Sequence, residues 1–229
     1  MDASEPPDWD DDDSTSTPAP AAMLATLAVA GMVYYLVSGL ALQFLRPDYS
    51  VVETAMSAYA VGEYGFVETI AFAFDGLAIL ALGGGLLMTV SASGRSPAGL
   101  ILLGLVGVGR LLEAAFATDV PPGPVPRTTA GVVHTAVAFA VFVLVVAAAL
   151  LISRRLGKDP TWQAYQRPAI WMSWASSATL GLFLLQSLVG LGAGHTFGLF
   201  EKIFLVSWHI WVLMTASQLR SIGSRFGPR

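Results

Sequence analysis

Few residues in this chain can do acid–base, ligand or ion-pair chemistry, and most of them lie inside or at the edges of long apolar runs. Three share one pattern: Gly65-x-x-Glu68, Gly131-x-x-His134 and Gly198-x-x-Glu201 each place an ionisable side chain three positions after a glycine. Glu68, His134 and Glu201 are of the types that can bind a metal ion or accept a proton. Asp75 follows Glu68 by seven residues and His209 follows Glu201 by eight, so each pair shares a helix face. Arg110 and Glu113, three apart, are neighbours on a helix. Arg46, Glu53 and Ser57 lie in one polar stretch, Asp119 precedes a proline-rich segment, and Lys202 follows Glu201. Ser57, Asp119 and His134 are the candidate catalytic residues, although no nucleophile motif surrounds them. There is no HExxH or HxxxH spacing, so a metal site would have to be assembled from separate helices. The run Gly104-Leu-Val-Gly-Val-Gly109 is not a nucleotide loop, because it sits within an apolar span rather than between strand and helix. Nothing in the chain points to nucleic acid, and no cofactor beyond a possible metal is implied.

The elements that position these residues are membrane spans. Of 229 residues, 55% are hydrophobic and only 12% charged, against about 25% charged in soluble domains, and the mean hydropathy is +0.65. Apolar runs cover about 22–45, 66–91, 98–117, 131–153, 168–190 and 199–219, each long enough to cross a bilayer. The backbone must satisfy itself in lipid, so helices are expected. The fold class is therefore all-α: a polytopic six-transmembrane-helix bundle over 22–220. Residues 1–21 are acidic and rich in Pro, Ser and Thr, a composition that predicts a disordered tail. Residues 221–229 form a short basic tail. With no cysteine, disulfides and thiolate metal sites are excluded.

Topology follows from Lys and Arg. With the N-terminus inside, the inner segments hold Arg95, Arg154, Arg155, Lys158, Arg167, Arg220, Arg225 and Arg229, and the outer ones only Arg46, Arg127 and Lys202. This bias places both termini in the cytoplasm. Residues 46–65 are then the first outer loop. A Pro-rich loop (Pro121, Pro122, Pro124, Pro126) is the second, and a Gly-rich turn holding His195 is the third. Trp162, Tyr165, Trp171 and Trp174 suit an inner interfacial belt. Gly83-Gly84-Gly85 and Gly104, Gly107 and Gly109 predict close helix packing. Ser50-Val-Val-Glu53 has capping-box spacing and Gly62 can end a helix, so a short amphipathic helix on the outer leaflet is expected between them.

A charge at mid-span costs at least about 2.5–3.5 kcal/mol. Asp75 and Arg110 are therefore expected to face the bundle interior and pair. The inner half offers hydroxyls but no charge away from the helix ends, so the ionisable residues concentrate toward the outer side.

Leu45-Arg-Pro-Asp-Tyr-Ser50, Met56-Ser57, Gly62-x-Tyr64-Gly65, Gly76, Phe116-Ala-Thr-Asp119, Gly131-x-x-His134 and Gly198-Leu-Phe-Glu201-Lys202 resemble a family of prokaryotic integral membrane proteins catalogued as domain of unknown function 998. The resemblance runs over about 22–220 and implies six helices without an established activity. A more distant likeness is to the Frag1/DRAM/Sfk1 group, linked to lipid and membrane organisation. Three functions compete. The first is a non-catalytic pocket for a lipid or small ligand, lined by Arg46, Glu53, Ser57, Glu68, Asp75, Arg110, Glu113, Asp119, His134, Glu201, Lys202 and His209. The second is a lipid-directed hydrolase with a metal or His–carboxylate site. The third is a proton- or ion-coupled transporter using Asp75 and His209. The lack of a catalytic motif favours the first, in a multi-pass protein of the plasma membrane.

Overall fold

A computed structural model describes residues 20–120, 128–189 and 196–224. The acidic tail, the four prolines of the second loop, His195 with its glycines, and the basic C-terminal residues from 225 onward lie outside the described residues. Six α-helices follow in order: α1 (Pro20–Leu45), α2 (Gly65–Thr89), α3 (Pro97–Ala115), α4 (Thr129–Leu156), α5 (Gln166–Val189) and α6 (Phe197–Gly223). All six are long and apolar enough to span a bilayer, and the described residues contain no strand. Each boundary falls within a few residues of the sequence expectation. The largest differences are at α4, which runs on through Arg154 and Arg155, and at α6, which ends at Gly223.

Local chemistry sets the helix starts. Ser96 accepts from the Gly99 N–H at 3.2 Å and Pro97 follows it, the arrangement that meets a free N–H and fixes φ at a first turn. Thr128 caps α4 in the same way, accepting from Gly131 N–H at 3.0 Å.

The helices form a ring in chain order. Each packs on its sequence neighbour, α6 closes against α1, and α2 touches α6 across the middle. Phe44, Leu188, Trp171 and Ile101 point outward, which suits a lipid-facing surface. Apolar burial does not drive helix association in lipid, so close packing must. At the α2–α3 crossing a Cβ on Gly76 would lie 2.7 Å from the Gly107 carbonyl, so any larger residue would push the helices apart. Gly104, expected to pack, has nothing within 4 Å of its Cβ position.

At the end where α1 begins and α6 finishes, Asp159 organises the α4–α5 connection. It is buried and accepts from the N–H groups of Ser91 (2.7 Å), Thr161 (2.8 Å) and Trp162 (3.2 Å). Burial pushes its carboxyl up, but these donors outweigh that and hold it below the usual carboxylate value. Trp162 and Tyr165 are not belt residues: Trp162 is fully buried, and the Tyr165 hydroxyl lies 3.0 Å from that of Thr215. Trp171 and Trp174 are exposed, as a belt requires.

The opposite end carries the 46–64 loop. The expected amphipathic helix from Ser50 to Gly62 does not form. Ser50 does accept from the Glu53 N–H at 3.2 Å, but only turns follow, then one 3-10 helix, Met56–Ala60. Val51 and Val52 are exposed while Met56 and Tyr59 are buried. Tertiary anchors account for the difference. Leu199 N–H donates to Val52 O at 2.8 Å, and Lys202 Nζ donates to Val51 O (3.1 Å) and Thr54 O (2.5 Å). These carbonyls therefore point at α6 instead of along a local helix. Gly62 does adopt the left-handed conformation anticipated for it, at φ 83.

Asp159 also yields a pH signature. A carboxyl held low in the fold stabilises fully above its unfolded value, about 3.9, and loses that contribution as pH falls through the lower folded value. Asp159→Asn should cost about 1–3 kcal/mol near neutral pH. The difference from wild type in detergent-solubilised thermal unfolding should shrink below about pH 4. A pH-independent difference would show that charge is not what Asp159 contributes.

Candidate functional site

The site is built around Arg110, which is 2% exposed near the loop end of α3. Its Nε donates to Asp75 Oδ2 on α2 and its Nη1 to Glu113 Oε2 one turn on, both at 2.5 Å. The Asp75–Arg110 pairing expected from the cost of mid-span charge is present. Glu113, a helix neighbour of Arg110 by its spacing, is the second carboxylate on the same guanidinium. The guanidinium carbon also lies over Phe72 (4.4 Å) and Tyr35 (5.1 Å), within cation–π range. His209 extends the row: Nδ1 donates to Leu205 O at 2.6 Å, Nε2 lies 3.4 Å from Asp75 Oδ1, and the ring stacks on Tyr35 at 4.4 Å.

Above this row lie the three residues that follow the helix-start glycines, all of them buried. Glu201 Oε2 accepts from the Met56 N–H at 2.6 Å, so it caps the 3-10 helix of the loop. His134 Nδ1 donates to Phe116 O at 2.8 Å. Glu68 is fully buried, and neither carboxyl oxygen has a hydrogen-bond partner. Its charged neighbours are Arg110, Glu201, Asp75 and Glu113.

The glycines have a common purpose. A Cβ on Gly198 would strike the Thr54 backbone, one on Gly65 the Ala60 carbonyl, and one on Gly131 the Asp119 carboxylate. Each glycine seats an incoming loop against a helix start. Gly198 and Gly65 hold the two ends of the 3-10 helix, which sits between α6 and α2. The Gly-x-x-Glu spacing shared by residues 65–68 and 198–201 thus corresponds to a paired seat for a single loop.

Beneath that loop is a cavity of about 20 Å³, lined by Tyr35, Met56, Ser57, Phe72, Arg110, Glu113, His134, Ala138, Phe142, Glu201 and Leu205. About 10–15 Å³ on this measure admits one water, so the space suits a water or the tip of a polar group. Of the pocket residues anticipated from sequence, Ser57, Arg110, Glu113, His134 and Glu201 line it. Asp75 and His209 are buried partners of this row, with Glu68 a charged neighbour.

Four others are placed elsewhere. Arg46 clamps the loop: Nη1 donates to Val61 O (2.9 Å) and Glu63 O (3.0 Å), while Nε and Nη2 bind Asp48. Through that bond Arg46 holds the Asp48 carboxyl below the usual range. Glu53 is exposed. Asp119 accepts from Thr128 N (2.9 Å) and Oγ1 (2.7 Å), closing the loop before α4. Lys202 binds loop carbonyls. Among the described residues no three His, Asp or Glu side chains are gathered as a metal set requires, so Glu68, His134 and Glu201 do not converge in that way. Tyr35 and Phe72 were missed. Tyr35 lies ten residues from the end of α1, about 15 Å deep, which is a phenol at the depth of Asp75, and that coincidence was the available signal.

A polytopic helical membrane protein with a buried ionic row beneath one end loop is the class this geometry defines. The chain belongs to the family described as protein of unknown function (DUF998), which it matches over residues 28–218. No curated protein and no solved structure matches it.

The row predicts an unusual mutant cycle. Removing one partner of a buried pair leaves an uncompensated charge, a loss of about 3–5 kcal/mol. Arg110→Gln, which strands two buried carboxylates, should cut folded yield most, and Asp75→Asn, which leaves Arg110 paired with Glu113, should cut it less. The double should recover only partly, because Glu113 is then alone, and adding Glu113→Gln should recover more. Strictly additive losses in monodisperse yield or thermal stability would rule out the coupled row.

Proposed function

We propose that this is a non-catalytic protein of the plasma membrane that takes a small polar ligand, or the head of a lipid, into the cavity roofed by the 46–64 loop. The carrying observation is that helices α1, α2, α3, α4 and α6 and the loop all contribute to one small cavity bearing ionisable side chains. The loop is held to α6 by Glu201 to Met56, Lys202 to Val51 and Thr54, and Leu199 to Val52, and to α1 and its own far end by the Tyr59–Gln43 bond and Arg46. A cavity of this size requires the loop to open for anything larger than water to enter. The Lys/Arg distribution supports an orientation with this loop outside and both termini in the cytoplasm.

Transport is less well supported. The half of the bundle away from the loop is filled by Leu82, Leu86, Leu103, Val145, Trp211 and Leu219, with hydroxyl pairs such as Ser153–Ser173 but, among the described residues, no ionisable relay of the kind seen around Arg110. Hydrolysis is also less well supported, because Asp119 accepts from Thr128 at the loop before α4 and is not among the residues lining the cavity with His134.

The chain has no cysteine, so Ser57→Cys places a single thiol in the cavity lining. In intact cells it should react slowly with a membrane-impermeant maleimide, and faster when Glu201→Gln and Lys202→Met loosen the loop. A Gln163→Cys control should react only after permeabilisation. Failure of the loosened variant to react, or reaction of the control in intact cells, would overturn the lidded, outward-facing pocket.

A further inference from the structure

The cavity's hydrogen-bonding valences are unevenly used. Arg110 has two of its nitrogens bonded, to Asp75 and Glu113, and Nη2 has no partner. Glu113 has Oε2 bonded and Oε1 without a partner. His134 donates from Nδ1 to a carbonyl, which can only accept, so Nε2 of the neutral ring carries a lone pair, and it too lacks a partner. The Tyr35 hydroxyl is likewise unpartnered. All four side chains line the one cavity, and all are at least nine-tenths buried. Buried polar atoms without partners are costly, and native structures satisfy them almost without exception.

The pattern is two acceptors (His134 Nε2, Glu113 Oε1), one donor (Arg110 Nη2) and one hydroxyl that can do either. An anion would meet two lone pairs and a guanidinium already matched by two carboxylates. A small cation cannot accept a hydrogen bond and would leave the Arg110 Nη2 donor unmet. A neutral group with two donors and at least one acceptor fits. Two adjacent hydroxyls have that pattern, and the roughly 20 Å³ of space suits hydroxyl tips.

Resting on the pocket reading above, we infer that the cavity beneath the 46–64 loop is a site for an uncharged vicinal diol, with its hydroxyls donating to His134 Nε2 and Glu113 Oε1 and accepting from Arg110 Nη2 and Tyr35 Oη. The diol can be a free polyol or the glycerol end of an uncharged lipid. Discrimination comes from unpaired buried atoms, the kind of site that rejects analogues lacking the matching group.

The test uses the full chain carrying Ser57→Cys in phosphatidylcholine nanodiscs, with maleimide labelling as the readout. One arm adds monoacylglycerol to the bilayer, a second adds free glycerol, and a third adds phosphatidic acid. Monoacylglycerol, glycerol or both should slow labelling severalfold, and which arm succeeds identifies the source of the diol. Phosphatidic acid should not slow it. Tyr35→Phe, which removes only a hydroxyl, should weaken the protection, and His134→Ala should abolish it. Equal protection by phosphatidic acid, undiminished protection in both variants, or no protection by either diol would overturn the inference. Labelling that never occurs would instead count against the opening loop itself.

Discussion

A single guanidinium inside a lipid-embedded bundle sets the terms for the rest of this structure. Arg110 is almost wholly buried, and in that setting a lone cation would not be tolerated. Its charge is matched by Asp75 and Glu113, its face is covered by Tyr35 and Phe72, and Asp75 is flanked in turn by His209. These partners come from α1, α2, α3 and α6. The row therefore fixes the rotation of four helices at once, which lipid-facing apolar residues cannot do because any rotation suits them equally.

The loop above the row obeys a second constraint. Its backbone polar groups lie over the mouth of a bundle, so they need partners from outside the loop. Glu201 and Lys202 supply them from α6, Arg46 at the loop's own start takes two further carbonyls, and Gly65 and Gly198 make room for the close approach. Charged residues that resemble a binding constellation in sequence thus divide into two sets. One faces the cavity, and the other holds the cover in place.

That division explains which site residues were legible. Asp75 and Arg110 could be paired in advance because the cost of an unmatched charge in a bilayer leaves little alternative. Gly-x-x-Glu and Gly-x-x-His were visible as a spacing, but their meaning as loop seats was not, since the groups they meet (Thr54, Ala60 and Asp119) come from segments remote in sequence or from irregular backbone. The Ser50–Glu53 spacing misled for the same reason. A capping signal is local, and the carbonyls that a helix would have used were drawn instead to Lys202 and the Leu199 N–H.

By itself the sequence determined the six spans, the end of the bundle where ionisable side chains gather and the most expensive ion pair, because hydrophobic length and the dielectric penalty act on residue types regardless of their neighbours. Only the tertiary structure decided that Ser57, Glu113, His134 and Glu201 share a cavity with Tyr35, while Arg46, Lys202 and Asp119 serve loops. A polar side chain's role depends on which distant backbone group reaches it first, and no local spacing encodes that contact.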